Sequence, residues 1–508
     1  MKHTRKICSV FLAFVLASAM GPSGAFATEV TTSKPEISDA EFLAIQSEAD
    51  EFMSLVEAEL SANGSSVVDE LNKQAAQYTD LLSACAEEDE EKLVSLIDTT
   101  NDLIDSYTTY KSGIVSLGIV DGIYSVEIAG AVAVFNSLGY DLAAELLTHA
   151  ADNNTLDSYY EPTHGSDVTS SSVYYEILNG SSTSGSAVFT KTGGTNDYDL
   201  HYAINRFNYR KSDSGSVVVI EDRYDYEQGG MGGGITGMVV DQMAKAQDAG
   251  VLVPYYTYIV SDTNKTTRNQ YETVSLRNTA SEGRMFAKQV VLGKGEYKDF
   301  TITFSTPGYK LFQTFGPRDT KIEIFNSQGT SLTNGSGDDN GYSLNSMVKY
   351  YCVAGTPYTV RVKLYSTAQS GDMMFAVTPA TSYIKSGSST LNSYEDIFTF
   401  NVNSKFTLTS KTILNQTGVV TFTVTNTGKY DLQILSSLDT YFYVIDPRSS
   451  RDWKNGVDYN DDDGEGSNPK ISNRELASGV PYLIVYSGYN VTNQAYVGDV
   501  QIIIEKIS

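Results

Sequence analysis

The chain has 508 residues, a formal charge of −26, 35 tyrosines and one tryptophan. That length suggests roughly three or four domains, and the apolar share is too high and the charged share too low for disorder throughout. So acidic a surface excludes nucleic acid or an anionic membrane as a partner held by bulk electrostatics.

Lys2, Arg5 and Lys6 precede the apolar run from Ile7 to Ala19, and Ala25-Phe26-Ala27 forms a small-x-small cleavage site. This is the pattern of a secretory signal over 1–27, with the mature chain starting at Thr28. No second run of about 18 apolar residues follows, so no membrane span is expected. The protein is expected to be secreted and extracellular. Two cysteines, Cys85 and Cys352, remain after cleavage; too few for a disulfide scaffold or a cysteine-based zinc site, they read as buried free thiols or as one bridge.

Residues 28–113 are predicted to be a helical bundle or hairpin. Phe42, Ile45, Ala49, Phe52, Val56 and Leu60 make one stripe at spacings of three and four. Leu71, Ala75, Tyr78, Leu82 and Cys85 make a second, and Leu93, Leu96, Ile97, Leu103, Ile104 and Tyr107 a third. Three such helices with short connections suit an antiparallel bundle, and a partner-binding coiled coil is the functional alternative.

Residues 114–270 are predicted to form an α+β module. Val126 to Leu138 and Leu142 to Ala150 read as buried helices, with Gly139 breaking between them. From Ser172 the composition turns to Ser, Thr and Tyr, which predicts strands, Val188-Phe189 among them. Strands are expected at Arg206–Arg210 and Val217–Tyr226 around the turn Ser212-Asp213-Ser214-Gly215. A helix from Ile235 to Ala249 should stop at Gly250, a favourable residue just past a helix end. The ordered motifs "GAVAVFNSLGYDLAAELLTHA", "DLHYAINRFNY", "IEDRYDY" and "AGVLVPYYTYI" resemble a secreted domain of Gram-positive bacteria. That resemblance implies an α+β module and an extracellular setting, and no activity.

The mature chain's three histidines, His149, His164 and His201, fall in this module near Asp199, Asp222 and Asp225. An imidazole oriented by a carboxylate can do acid–base work or hold a metal. The catalytic candidates are therefore His201, Asp222, Tyr224 and Asp225. The bland reading is an Arg223 ion pair beside a tyrosine ladder, because Asp222, Tyr224 and Tyr226 alternate with Arg223 and Asp225 on a strand. Asp222-x-Tyr224-Asp225 is also reminiscent of lipid II-cleaving bacteriocins, but Gln228-Gly229-Gly230 stands where their His-Arg would be. No HExxH or GxSxG motif occurs. The glycine run at 229–234 lacks a following Gly-Lys-Ser/Thr and reads as a loop, so no nucleotide cofactor is expected.

The remaining chain repeats. Gly308-Tyr309, Asp319-Thr320, Asp338-Asp339-Asn340, Asn345-Ser346 and Gly355-Thr356-Pro357-Tyr358 recur in order as Gly428-Lys429-Tyr430, Asp439-Thr440, Asp461-Asp462-Asp463, Asn468 and Gly479-Val480-Pro481-Tyr482. Short alternating strands between Gly, Asn and Asp turns predict β-sandwiches over 275–381 and 394–508, joined by a polar linker at 382–393. These landmarks resemble the bacterial pre-peptidase C-terminal domain, which implies jelly-roll-like sandwiches serving secreted enzymes as accessory or binding modules. Asp338, Asp339, Asp461, Asp462 and Asp463 supply oxygen ligands suited to Ca²⁺, and are equally the ordinary residues of turns.

The fold class expected is thus multidomain α+β: a helical N-terminal segment, an α+β central module and two C-terminal jelly-roll-like β-sandwiches. The function expected is non-enzymatic binding of glycan, matrix protein or cell-wall polymer through the sandwiches. The alternative is a secreted hydrolase or toxin-like enzyme with its centre in 149–228.

Overall fold

The computed structural model describes residues 128, 132, 135–136, 139–191, 193–226, 243–263, 269–276, 286–333, 344–378, 381–385, 388–391, 399–412, 417–451, 459–460, 464, 468–490 and 493–507. The signal sequence, the helical segment 28–113 with Cys85, the glycine run 229–234 and all five calcium candidates (Asp338, Asp339, Asp461, Asp462 and Asp463) lie outside the described residues. What is described is mostly β-sheet, in two compact units. The first takes the described residues up to Tyr175 with Ser186–Phe207 and Glu221–Tyr258. The second takes Glu176–Gly185, Asn208–Ile220 and the described residues from Ile259 onward.

The central part runs α1 (Asp141–Asp152), β1 (Ser158–Tyr160), a 3-10 helix (Thr163–Ser170), α2 (Ser172–Asn179), β2 (Ser184–Val188), α3 (Thr195–Ala203), β3 (Arg206–Lys211), β4 (Val217–Tyr224) and β5 (Tyr255–Asp262). The sheet order is β1-β5-β4-β3-β2, with β1 parallel to β5. Helix α1 buries Leu142, Ala143, Leu146, Leu147 and Ala150 on one face. Its own first residues offer no side-chain cap. The Asp199 carboxylate of α3 does so instead, accepting the backbone N–H of Leu142 at 3.1 Å and of Ala143 at 2.8 Å.

Two expectations for this part are corrected. The stretch from Ser172 is a helix, because Ser171 Oγ accepts the Tyr174 N–H at 3.1 Å and Tyr174 and Ile177, three apart, are both buried. The DLHYA motif is the body of α3; Leu200 and Ala203 face inward one turn apart. Gly250 (φ +83°) ends the preceding helix as its sequence position predicts.

The second unit is built from four further sheets. The first pair uses β6 (Gln270–Leu276), β7 (Phe286–Leu292), β8 (Tyr297–Phe304), β9 (Gly308–Phe315), β10 (Thr320–Phe325), β11 (Met347–Cys352), β12 (Pro357–Leu364) and β13 (Gly371–Thr378). Sheet β10-β12-β8-β6 faces sheet β11-β9-β13-β7 across one apolar core that includes Phe300, Phe312, Ile322, Val360 and Phe375. Cys352 belongs to that core, and burial pushes its thiol up to about 12.

The second pair uses β14 (Thr381–Lys385), β15 (Ser388–Leu391), β16 (Thr399–Val402), β17 (Lys405–Thr412), β18 (Thr417–Val424), β19 (Gly428–Leu435), β20 (Thr440–Ile445), β21 (Tyr459–Asn460), β22 (Lys470–Leu476), β23 (Tyr482–Gly488) and β24 (Gly498–Lys506). One sheet runs β15-β14-β18-β23-β20-β21, with β16 also on β18; the other runs β17-β24-β19-β22. The stretch read as a linker therefore contains a two-stranded hairpin, β14–β15, whose first strand lies parallel to β18.

Several of the repeated landmarks make the same hydrogen bonds in both pairs. Gly355 and Gly479 both take positive φ and donate to Phe304 O and Val424 O at 2.9 and 3.0 Å. Tyr358 Oη accepts the N–H of Val353 at 2.9 Å, and Tyr482 Oη that of Ala477 at 2.8 Å. Tyr365 and Tyr489 donate their N–H to Asp319 O and Asp439 O, each at 3.0 Å.

At the centre of sheet β11-β9-β13-β7, β13 and β9 from Lys310 onward are buried on both faces. Met373, Phe375 and Val377 of β13 point into the first core. Met374 and Ala376, with Leu311 and Phe315 of β9, meet Val419, Tyr441, Tyr443, Ile445, Leu483 and Val485 of the second pair. Gly316 N–H and Asn345 Nδ2 both donate to Pro447 O, at 3.1 and 3.2 Å. Beside this seam lies a buried ion pair, Arg210 Nε to Asp372 Oδ2 at 2.7 Å, with side chains 7% and 0% exposed. Gln289 Nε2 donates to the neighbouring Ser450 O at 2.9 Å.

Asp372→Ala leaves the Arg210 guanidinium buried without its carboxylate and is expected to cost about 3–5 kcal/mol. The apolar double variant Arg210→Met/Asp372→Leu is expected to recover most of it. Urea unfolding followed by tyrosine fluorescence reads both, and equal losses in the two variants would contradict this account.

Candidate functional site

Helix α1 borders a groove of about 340 Å³ whose lining includes Asp141, Glu145, His149, Tyr160 and His164. One helical turn sets Glu145 and His149 on the same face. The Pro162–Thr163 entry to the 3-10 helix then brings His164 onto Glu145. The Glu145 carboxylate accepts from Tyr160 Oη at 2.7 Å, Thr163 N at 2.7 Å, Thr163 Oγ1 at 2.6 Å and His164 N at 2.9 Å. His164 Nδ1 lies 2.8 Å from its Oε2. Burial raises the Glu145 carboxyl, but the hydrogen bonds from Thr163, His164 and Tyr160 outweigh it and hold it at about 2.

The imidazoles divide. The hydrogen bond to Glu145 raises His164 above its ordinary 6.5. Burial lowers His149, which stacks on Tyr160 at 3.7 Å and meets the edge of Tyr255 at 4.5 Å. With the proton on Nδ1 shared with Glu145, His164 presents Nε2 as a base beside the groove. Neither spacing nor composition points to this pair: Glu145 reads as a helix-surface acid, and only folding brings it to His164.

The residues singled out from the sequence sit elsewhere. His201 ends α3, its Nδ1 at 2.9 Å from Phe189 O, and burial lowers its pKa. Asp222 is raised well above the carboxylate range by burial, with Asp225 and Glu221 adding to it. Asp225 Oδ2 takes Arg223 Nη1 at 2.6 Å, and Arg223 Nε reaches Asp157 at 2.8 Å. Tyr224 Oη lies 2.9 Å from Tyr226 Oη, and the Tyr224 ring stacks on Tyr255 at 5.2 Å. Asp222, Tyr224 and Asp225 are thus strand neighbours, while His201 is held by a different partner. Asp199 is the cap of α1, raised to about 6 by burial against the two N–H bonds that lower it.

A second candidate lies in the other unit, on the outer face of sheet β10-β12-β8-β6. Strand register sets Tyr271, Asp299, Arg361 and Glu323 in one row across the four strands. The next row is Thr273, Thr301, Thr359 and Phe325. Arg361 is fixed in place: Nε and Nη2 each meet Asp299 at 2.8 Å, and its guanidinium lies 3.7 Å from the Tyr297 ring centre. Lys363 pairs with Glu323 at 2.9 Å. Tyr271, 69% exposed, stands edge-on to Tyr297 at 6.4 Å. The aromatic and Arg content here was visible in the sequence; their alignment in rows was not.

No family model matches the chain, and no curated protein matches it. Among solved structures, it is similar to the pre-peptidase C-terminal domain of a collagenase from Bacillus anthracis: 16% identity over 22% of this chain and 100% of that one, TM-score 0.18. The Aeromonas hydrophila periplasmic inhibitor of g-type lysozyme matches at 8% identity over 22% of this chain and 96% of that one, TM-score 0.16. The CUB1-EGF-CUB2 domains of rat MASP-1 match at 11% over 46% of this chain and 99% of theirs, TM-score 0.15. Likeness this slight carries no argument about activity. No helix among the described residues is long and apolar enough to cross a membrane.

With only four histidines in the chain, ring NMR signals can follow each one. His164 is expected to titrate above 6.5, and His149 and His201 below it; Glu145→Gln should bring His164 back down. The carboxyl of Glu145 is held far below its ordinary 4.5. Its contribution to stability is therefore complete above pH 4.5 and is lost as the pH falls toward 2. Glu145→Gln should flatten that acid limb in thermal melts.

Proposed function

We propose that this is a secreted bacterial protein that binds an extracellular partner without transforming it. In this reading a signal peptide (1–27) and a helical segment (28–113) precede an α+β module (114–270). Two sandwiches of the pre-peptidase C-terminal type (275–381 and 394–508) follow as the binding part. The partner is a glycan, a matrix protein or a cell-wall polymer, and the acidic turns Asp338-Asp339 and Asp461-Asp462-Asp463 offer oxygens for Ca²⁺.

One observation carries the proposal. In the first pair of sheets, the central strands β9 and β13 of one sheet are covered on both faces, while the outer face of its partner sheet is open and lined by Tyr271, Tyr297, Arg361 and a threonine row. Rigid aromatic and arginine groups on an ordered sheet lose little entropy on contact. The enzymatic alternative draws its support from the Glu145–His164 pair beside the α1 groove, an arrangement suited to a water-activating base.

The full-length mature protein is expected to bind saturably on an array of glycans, matrix proteins and cell-wall polymers. Thr301→Glu/Thr359→Glu, which places two charges mid-face on half-buried, outward-facing strand positions, is expected to abolish it. Calcium dependence would point to the acidic turns. Binding untouched by the double variant would remove this face from the account. Turnover of a captured ligand that is lost in His164→Ala would favour the enzyme.

A further inference from the structure

We infer that the outer face of sheet β10-β12-β8-β6 takes a neutral polysaccharide chain; this rests on the binding role proposed above. Around the centre of the face the charges are paired; Lys321, two rows from the threonines, shares its row with Lys363 and Tyr297. Arg361 makes two 2.8 Å contacts to Asp299, and Lys363 lies 2.9 Å from Glu323. A charged partner would have to break these pairs to gain its own, at a cost close to the gain.

The uncharged groups remain open. The hydroxyls of Thr273, Thr301 and Thr359 make no hydrogen bond among the described residues, and they stand side by side on three adjacent strands. Strand spacing sets them about 4.8 Å apart, close to the length of one pyranose unit in an extended chain. Each can donate and accept, as a sugar hydroxyl does. Tyr271 offers an exposed ring at the end of the row above, and the Tyr297 ring, topped by Arg361 at 3.7 Å, stiffens it. Aromatic rings bind the C–H face of a sugar while their polar rims stay wet. A hydroxyl row, a ring at the edge and no unpaired acid or base in the threonine row or the row beside it together select a neutral polyol over a polyanion or a charged peptide.

Calorimetric titration of the full-length protein tests this with soluble hexasaccharides of β-1,4-linked glucose, of α-1,4-linked glucose and of β-1,4-linked N-acetylglucosamine. Oligogalacturonate and a triple-helical collagen-type peptide serve as charged and protein probes. At least one neutral hexasaccharide is expected to bind with an affinity that changes little between low and high salt. Tyr271→Ala and the near-isosteric Thr301→Val/Thr359→Val are each expected to weaken it about tenfold. Tyr309→Ala, an exposed tyrosine on another sheet, should leave it unchanged.

Neutral-glycan binding that ignores the Tyr271 and threonine variants overturns the inference, as does steep salt dependence. Capture of only the oligogalacturonate or the collagen-type peptide, abolished by Thr301→Glu/Thr359→Glu, overturns the neutral-glycan inference and leaves the binding role standing. No saturable binding of any probe or array ligand overturns both.

Discussion

The second unit depends on a single requirement, that the central strands β13 and β9 of sheet β11-β9-β13-β7 be buried on both faces. All eight residues of β13, Gly371 to Thr378, are buried. A strand apolar on both sides cannot sit at a surface, so a second layer must cover it. The other pair of sheets supplies that layer through Tyr441, Tyr443, Ile445, Leu483 and Val485. Burial also traps the one acid on β13, Asp372, which persists there because Arg210 lies 2.7 Å away. An unpaired carboxylate at that depth would oppose the seam that the apolar residues favour.

Covering one sheet leaves its partner as the open one. The inner faces of both are closed by the shared core, so the outer face of β10-β12-β8-β6 is where ordered side chains meet water. The tyrosines follow the same division. Tyr358 and Tyr482 are corners whose hydroxyls each satisfy a backbone N–H. Tyr255 and Tyr224 stack within the first unit. Tyr271 alone on the face just described is mostly exposed. One residue type serves all three because its ring is apolar and its tip is not.

In the first unit, carboxylates divide between structure and chemistry. Asp199 is consumed in capping α1, and Asp225 in holding Arg223. Glu145 both ties Tyr160 and Thr163 to α1 and orients His164, so one carboxylate shapes the groove and tunes its base. Among the described residues, the same pair that anchors the 3-10 helix is the one place where an imidazole gains basicity.

Local patterns were enough to foresee several elements. The hairpin strands follow from alternation at Arg206, the apolar run at Val217 and a Ser-Asp-Ser-Gly turn between them, and α1 from its stripe of Leu and Ala. The paired glycines and tyrosines at 355–358 and 479–482 announced equivalent turns, since positive φ and a corner hydroxyl are local requirements. The continuous apolar runs at 373–377 and 441–445 also held the sign of two-sided burial, in place of alternation. Yet α2 and α3 were hidden, because their short, polar segments become helical only when Ser171 caps one and Leu200 and Ala203 find a core for the other. Sequence alone thus determined the strands and turns at these positions, because φ, periodicity and turn chemistry act over a few residues. Tertiary structure alone decided that Asp372 meets Arg210, that Glu145 meets His164, and which sheet face stays open. Those outcomes rest on contacts between residues far apart in the chain, which no short-range rule contains.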